Sequence, residues 1–178
     1  MEKRILQALE KSMAEYDPVQ KSKHWRRFDK RRHLFRGGFL ENFRNNTLSD
    51  GLDDRFDPLA QKDVFCEVLA ECGPDFVFAN LSEKNVGNAR EVFSIGNKII
   101  DAGQCVYIRW LYDLTNFVFS KKDVGSVCEI GGGYGSVAQK IRSNINCSYI
   151  MIDLPEANAL ASYYLHRHFP DMKFLLAG

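Results

Sequence analysis

Long hydrophobic runs are missing from this chain of 178 residues, and none approaches the ~20 residues that a membrane-spanning helix requires. A secretory leader is not indicated, because Met1-Glu2-Lys3-Arg4 precedes a mixed amphipathic pattern without a continuous apolar core. Internal repeats and low-complexity segments are also lacking. A hydrophobic fraction of 45% and a formal net charge of +1 are ordinary for a globular protein. We therefore expect a cytoplasmic globular protein with no membrane span.

Closely spaced cysteine pairs, which mark many zinc sites and redox motifs, are absent as well. The five cysteines are odd in number and scattered, at Cys66, Cys72, Cys105, Cys128 and Cys147. His166 and His168 are two residues apart on a predicted helix, where such neighbours point in different directions. The sequence therefore predicts reduced thiols, with Cys128 and Cys147 inside buried strands, two surface histidines and no metal site.

A large excess of one charge sign is missing overall, although a basic and aromatic cluster spans residues 24–36. Such a cluster could contact nucleic acid, a membrane surface or an anionic substrate such as a nucleotide-activated sugar. It could equally be a solvated helix face whose aromatic side chains pack on the domain. Because acids elsewhere balance the charge and no nucleic-acid-binding motif is present, we expect a solvated face and no nucleic-acid partner. Arg44 and Arg90 are candidates either for a substrate contact or for the surface.

The chain divides near Asp123 into a mostly helical region, residues 1–122, and a second region, residues 123–178. Apolar residues at helical spacing predict four helices in the first region, at Ile5–Tyr16, Leu59–Cys72, Asn88–Ala102 and Cys105–Ser120. The last of these is apolar on most faces, which indicates burial on more than one side. Between Leu34 and Pro58 the chain is polar and marked by glycine, so we expect an irregular loop.

The most informative segment is Val127–Ser136, with the sequence VCEIGGGYGS. A short apolar run ends in an acid, and glycines then lead into a helical pattern from about Tyr134 to Arg142. This order predicts a strand, a tight turn and a helix start, which together bring backbone amides close to a ligand. The glycines lack a Cβ and can adopt the left-handed backbone angles of such a turn. Glu129 stands near the end of the strand, at the edge where open α/β sheets bind ligands.

A second predicted strand, Cys147–Ile152, is also followed by an acid, Asp153. If the two strands are parallel neighbours, Glu129 and Asp153 lie at one edge of the sheet and form part of a nucleoside site. A carboxylate there can accept hydrogen bonds from both hydroxyls of a ribose. Asp153 could also cap the following helix, because Pro155 suits a first helical turn.

The spacing of the glycines helps to distinguish among nucleoside ligands. The dinucleotide fingerprint Gly-x-Gly-x-x-Gly would need a glycine where this chain has Ser136. Glu129, two residues before the first glycine, would repel a pyrophosphate but suits a ligand ammonium group. An NAD(P)-dependent Rossmann oxidoreductase stays open as an alternative, and so does a non-catalytic interaction module that retains a vestigial turn.

The acid and glycines of Glu129–Gly135 resemble motif I of class I S-adenosylmethionine-dependent methyltransferases, and Asp153 matches their ribose-binding acid. With Ile152–Glu156 and Ala161–Leu165 added, the pattern resembles the bacterial sugar O-methyltransferase family. It is also similar to plant-type O-methyltransferases that act on phenols. Two upstream segments, residues 40–44 and 86–88, look like further elements of the sugar family, although residue 89 is alanine where that family has proline.

The resemblance implies S-adenosylmethionine as the cofactor and transfer of its methyl group to a hydroxyl of a sugar or sugar conjugate. The residue that would act as a base is not identified. The cofactor contacts that the resemblance implies are Glu129, Gly131, Gly132, Gly133, Tyr134, Gly135, Asp153 and Leu154. For Tyr134, packing on the sheet is as well supported as contact with the cofactor.

The resemblance also implies the architecture of the second region. Class I methyltransferases have a seven-stranded sheet, and residues 172–177 are predicted as its third strand. We therefore expect an α/β fold in which an N-terminal helical accessory or substrate region precedes the first half of a Rossmann-like sheet, about three parallel strands. On this interpretation residues 123–178 form a partial S-adenosylmethionine-binding domain of a C-terminally truncated chain. The oligomeric state is left open.

Overall fold

The computed structural model describes residues 2–15, 38–45, 58–90, 92–121 and 123–175. The basic cluster at residues 24–36 and the last two residues of the predicted third strand lie outside these ranges. The helices, in chain order, are α1 (Glu2–Glu15), a 3₁₀ turn (Leu40–Asn45), α2 (Pro58–Cys72), α3 (Pro74–Asn80), α4 (Ala102–Asp113), α5 (Ser136–Asn144) and α6 (Pro155–His168). The strands are β1 (Phe93–Ile95), β2 (Lys98–Ile100), β3 (Ser126–Ile130) and β4 (Ser148–Ile152).

Most predicted helices are confirmed. Helices α1 and α2 occupy the first two predicted ranges, and α6 begins at Pro155, whose fixed φ suits a first helical position. Helix α4 begins after Asp101, whose side chain accepts a hydrogen bond from the Gln104 amide at 2.9 Å. It continues through a π-helical turn, Leu114–Val118, so the predicted helix to Ser120 is present with a change of winding.

The helix predicted at Asn88–Ala102 is wrong. This segment contains a β-hairpin, in which β1 pairs antiparallel with β2. Gly96 has a left-handed φ of +61° and provides the tight turn, while β-branched residues at 99 and 100 favour the extended state. Of the irregular loop predicted between Leu34 and Pro58, the structure describes residues 38–45, in which Leu40–Asn45 forms a short 3₁₀ turn that is interrupted by the non-helical backbone of Asn42.

The two regions of the chain pack directly on each other. Helix α1 and the 3₁₀ turn pack on α6 through a cluster of buried side chains, which are Ile5, Leu9, Phe39, Leu40, Phe43, Val86, Ala159, Tyr163 and Tyr164. A second cluster joins α2, α3, β2 and α4, and a third joins α4 and α5 to one face of the parallel strands. The site at the end of β3 therefore rests on side chains from both regions.

Strands β3 and β4 pair in parallel, from Ser126 opposite Ser148 to Ile130 opposite Ile152. Met172–Leu175 have no strand pairing, so the described residues contain a two-stranded parallel sheet and the three-stranded sheet is not observed. A turn closed by the Met172 amide on the Phe169 carbonyl, at 3.1 Å, precedes this segment. Among the described residues, no helix is both long and apolar enough to traverse a bilayer.

Burial of the parallel strands differs from the sequence-based prediction, whereas burial of α4 agrees with it. One face of the parallel pair is solvent-exposed, with Ile130 82% exposed, so Cys128 on that face is exposed and not buried. Helix α4 buries Cys105 and Ile108 in the cluster with α2 and α3, and Leu111 in the cluster with α5. The prediction that this helix is buried on more than one side is therefore confirmed, although its Trp110 ring is half exposed.

The two histidines predicted to lie on the surface are half-buried. The His168 ring lies 4.6 Å from the Tyr164 ring, centroid to centroid, and His166 lies 6.1 Å from Phe174. Burial, with the nearby cations Lys140, Lys84 and Arg44, lowers the pKa of His168 to about 4. Helix position alone indicated exposure, but the turn after α6 folds back over its last residues.

Substitution of Gly87 tests the contact between the two upstream segments. Gly87 has a φ of +85°, and a Cβ there would overlap the Phe43 ring. We expect Gly87→Ala to lower the free energy of unfolding by about 2–4 kcal/mol, because the left-handed strain and the overlap add. Urea unfolding measures this loss. Gly96→Ala is the matched control, since its φ is +61° but a Cβ would meet open space. Equal losses in the two variants would contradict the overlap.

Candidate functional site

The glycine turn, residues 131–135, has the predicted geometry. Gly131, Gly133 and Gly135 have φ angles of +77°, +58° and +86°, all in the left-handed region. The Gly131 amide donates to the Ile152 carbonyl at 2.9 Å, which ties the turn to β4. The Gly135 amide donates to the Gly132 carbonyl at 3.0 Å, and α5 starts at the next residue. The turn thus bridges the ends of both parallel strands.

Gly135 also meets a packing requirement. A Cβ at this position would lie 3.2 Å from the Ala161 Cβ of α6. The start of α5 therefore approaches α6 more closely than a larger residue would permit.

Asp153 lies directly against the glycine turn. Its Oδ2 accepts a hydrogen bond from the Gly133 amide at 2.8 Å, and its Oδ1 accepts one from the Leu154 amide at 2.7 Å. Helix α6 has no side-chain cap, so the alternative role of Asp153 as a helix cap is not observed. The carboxylate and the turn, which are 20 residues apart in sequence, form one unit at the carboxyl edge of the sheet.

Glu129 is half-buried, and its Oε2 accepts a hydrogen bond from the Tyr149 hydroxyl at 2.9 Å. Burial raises the pKa of the Glu129 carboxyl, the Tyr149 hydrogen bond offsets part of this rise, and the nearby Asp153 carboxylate adds to it. The Glu129 carboxylate therefore feels the charge of Asp153, and it has no cation beside it among the contacts described. A ligand ammonium would relieve this unfavourable burial of negative charge.

Gly132 and Tyr149 belong to the site, and each has a role that sequence reasoning missed. A Cβ on Gly132 would lie 2.6 Å from the Glu129 Oε2, so glycine leaves room for the carboxylate. Tyr149 stands opposite Val127 in the strand register and reaches Glu129 along the same face. The period-two alternation of β4 contained this signal, because Tyr149 and Met151 share a face in a strand.

Tyr134 packs in the core. Its ring lies 5.5 Å from Phe43 and 5.1 Å from Tyr164, and the Arg44 guanidinium lies 5.4 Å from its centroid. These partners come from the 3₁₀ turn and α6. Of its two predicted roles, the structure therefore favours packing, although on helical elements and not on the sheet. Leu154 is half-buried at the start of α6 and contributes its amide to Asp153.

The two upstream segments, Leu40–Arg44 and Val86–Asn88, meet each other. The Arg44 amide donates to the Gly87 carbonyl at 2.8 Å, and the Asn88 side-chain amide donates to the Asn42 side chain at 2.8 Å. Arg44 itself is buried in an ion pair with Asp101 at 2.9 Å, so the alternative in which it is a surface residue is wrong. Arg90 donates through its Nε to the Asn45 side chain.

A groove of about 1180 Å³ runs beside the free edge of β4. Its walls come from α1, α6 and residues 172–175, and Asp153 is the predicted site residue on its border. Glu129 and the glycine turn are outside its lining. In the described ranges, no three His, Cys, Asp or Glu side chains converge on a point that could hold a metal ion.

The chain matches no protein-family model, and it is significantly similar to no curated protein and no solved structure in the comparisons made.

The environment of Glu129 can be tested without a ligand. We expect Tyr149→Phe to raise the pKa of the Glu129 carboxyl further, because the hydrogen bond that stabilises its charged form is removed. A carbon-13 NMR titration of the glutamate carboxyls measures the change. Tyr112→Phe is a matched control, since Tyr112 packs on Phe76 at 5.2 Å. A Glu129 pKa that stays the same or falls in Tyr149→Phe would contradict the geometry.

Proposed function

We propose that this protein binds S-adenosylmethionine at the glycine turn and transfers its methyl group to a hydroxyl of a sugar or sugar conjugate. The single observation that carries the proposal is the hydrogen bond between the Gly133 amide and Asp153, with Glu129 beside it. It brings one turn and two carboxylates to the end of a parallel strand pair, where α/β sheets bind ligands. The sugar as acceptor rests on the resemblance of the motifs.

Each residue of the site has a defined task in this proposal. Asp153 accepts hydrogen bonds from the ribose hydroxyls, and Glu129 supplies the counter-charge for the ammonium of the methionine moiety. The glycines let the backbone approach the ligand. The cofactor supplies an electrophilic methyl group on a sulfonium. The protein's contribution is alignment of the acceptor oxygen with that methyl group, together with removal of the hydroxyl proton by a base not yet assigned.

We propose further that the segment beginning at Met172, which has no strand pairing among the described residues, adds to β4 as the third strand of a Rossmann-like sheet. The support is that Met172–Leu175 line the groove beside the edge of β4 that faces away from β3. Within the part of the chain that the structure describes, that edge carries no paired strand, and an edge strand favours pairing with another strand.

Cofactor binding separates the proposal from an oxidoreductase. We expect S-adenosylhomocysteine to bind and NADH not to bind, measured by isothermal titration calorimetry. Glu129→Ala and Asp153→Ala should each weaken S-adenosylhomocysteine about ten- to hundredfold, because each removes a hydrogen bond that involves a charged group. Asp171→Ala, at an exposed carboxylate, is the matched control and should bind as wild type does. Binding of NADH alone, or unchanged affinity in both site variants, would overturn the cofactor assignment.

The acceptor class needs a second experiment. Incubation with methyl-labelled S-adenosylmethionine and a panel of sugars, nucleotide sugars and phenols should place label on a sugar oxygen, as detected by mass spectrometry. If label is found only on phenols, the acceptor is a phenol, as in the plant-type O-methyltransferases, and the proposal of a sugar acceptor is wrong. Binding of the cofactor without transfer to any acceptor would instead favour a non-catalytic module.

A further inference from the structure

A chain of buried polar side chains links the N-terminal region to the helix that follows the glycine turn. Arg44, Asp101, Gln104 and Lys140 are each no more than 4% exposed. Arg44 pairs with Asp101 Oδ1 at 2.9 Å, and Gln104 donates to Asp101 Oδ2 at 2.9 Å. Lys140 in turn donates to the Gln104 Oε1 at 3.3 Å. The chain therefore runs from the 3₁₀ turn, through the start of α4, to α5.

One end of this chain of side chains contacts the glycine turn directly, because the Arg44 guanidinium lies over the ring of Tyr134, a residue within the turn. The other end is Lys140, which lies one helical turn beyond Ser136, the first residue of α5 and the residue that follows the turn. Asp101 is thus linked to the turn through Arg44 on one side, and through Gln104, Lys140 and α5 on the other.

Helix α5 is also attached to the end of α3 through Asn80. Lys140 donates to the Asn80 carbonyl at 2.6 Å, and the Asn144 side chain donates to the Asn80 Oδ1 at 2.6 Å. The accepting carbonyl belongs to the last residue of α3, where a cation also interacts favourably with the helix dipole. These bonds set the position of α5 along α3 as well as its distance from α3.

The burial of these charges is costly. Desolvation lowers the pKa of Lys140 to about 8 against the attraction of Asp101. For Asp101, burial alone would raise the pKa, but Arg44 and the Gln104 hydrogen bonds outweigh burial, so the pKa lies below its ordinary value. Apolar side chains of similar size often stabilise a core as well as or better than buried ions. Since stability alone does not require buried charges here, a role in fixing the positions of the surrounding helices would explain their presence.

We infer that Asp101 and Lys140 are positioning residues, through which the N-terminal region sets the place of the glycine turn and so the affinity of the cofactor site. Neither residue touches the site itself. The part of the inference that concerns the cofactor rests on the proposed function, whereas the part that concerns the turn does not.

The experiment uses the full chain labelled with nitrogen-15 glycine, which has 13 glycine residues and so a small set of amide signals. We expect Lys140→Met to shift the amide signals of Gly133 and Gly135, because α5 loses the hydrogen bonds of Lys140 to the Asn80 carbonyl and to Gln104, and keeps only the one from Asn144 to Asn80. S-adenosylhomocysteine should bind about three- to thirtyfold more weakly, the range typical of substitutions in a coupling network. Lys140→Gln, which keeps a donor for the Asn80 carbonyl, should recover part of both effects.

Glu71→Gln is the matched control, because it breaks an exposed ion pair between α2 and Arg109 of α4, at 2.8 Å, without touching the chain of buried groups. Asp101→Asn tests the other positioning residue and should shift the same glycine signals. If this variant does not fold, the double variant Asp101→Asn, Lys140→Met removes one buried charge of each sign, so it should fold and show the same shifted signals. Unmoved turn signals in folded Lys140→Met, or equal shifts in Glu71→Gln, would overturn the inference. If the wild-type protein binds no S-adenosylhomocysteine, the proposed cofactor is wrong. The positioning role of Asp101 and Lys140 is then tested by the glycine amide signals alone.

Discussion

The buried carboxylate of Asp101 is the constraint on which much of the structure depends. It caps α4, pairs with Arg44 from the 3₁₀ turn and accepts from Gln104, which in turn meets Lys140 of α5. A charge buried this deeply is tolerated only when every oxygen has a partner, so the elements that supply the partners have little freedom to move. The packing of the helical region is therefore coupled to the position of α5, the helix that follows the glycine turn.

Aromatic packing continues this coupling towards the sheet edge. Tyr134 leaves the glycine turn and enters a cluster with Phe43 and Tyr164, so the turn is anchored in the core by one of its own residues. On the opposite side, Asp153 binds the Gly133 amide. The turn is consequently held between an aromatic cluster on one side and the Asp153 carboxylate on the other.

Much of the local structure was predictable from sequence because it depends on near neighbours. The strand, glycine turn and helix at Val127–Ser136 follow from backbone sterics and apolar periodicity, and the structure confirms them. The segment at Asn88–Ala102 was mistaken for a helix because its apolar residues satisfy a helical period, whereas the Gly96 turn and the bridge from Ile99 to Ser82 select a hairpin. Short apolar runs are ambiguous in this way, and tertiary pairing decides them.

Glu129, the glycines and Asp153 can be recognised from the sequence as a candidate ligand-binding edge, since their order along two short strands is a local property. Their surroundings depend on the fold of the whole chain. The contacts of Arg44 with Asp101, of Lys140 with Asn80 and of Tyr149 with Glu129 join residues 57, 60 and 20 positions apart. Periodicity places Tyr149 on one face of its strand but names no partner for it, and it carries no signal for the other two pairs. Burial, charge balance and packing select such pairs only once the whole chain has folded.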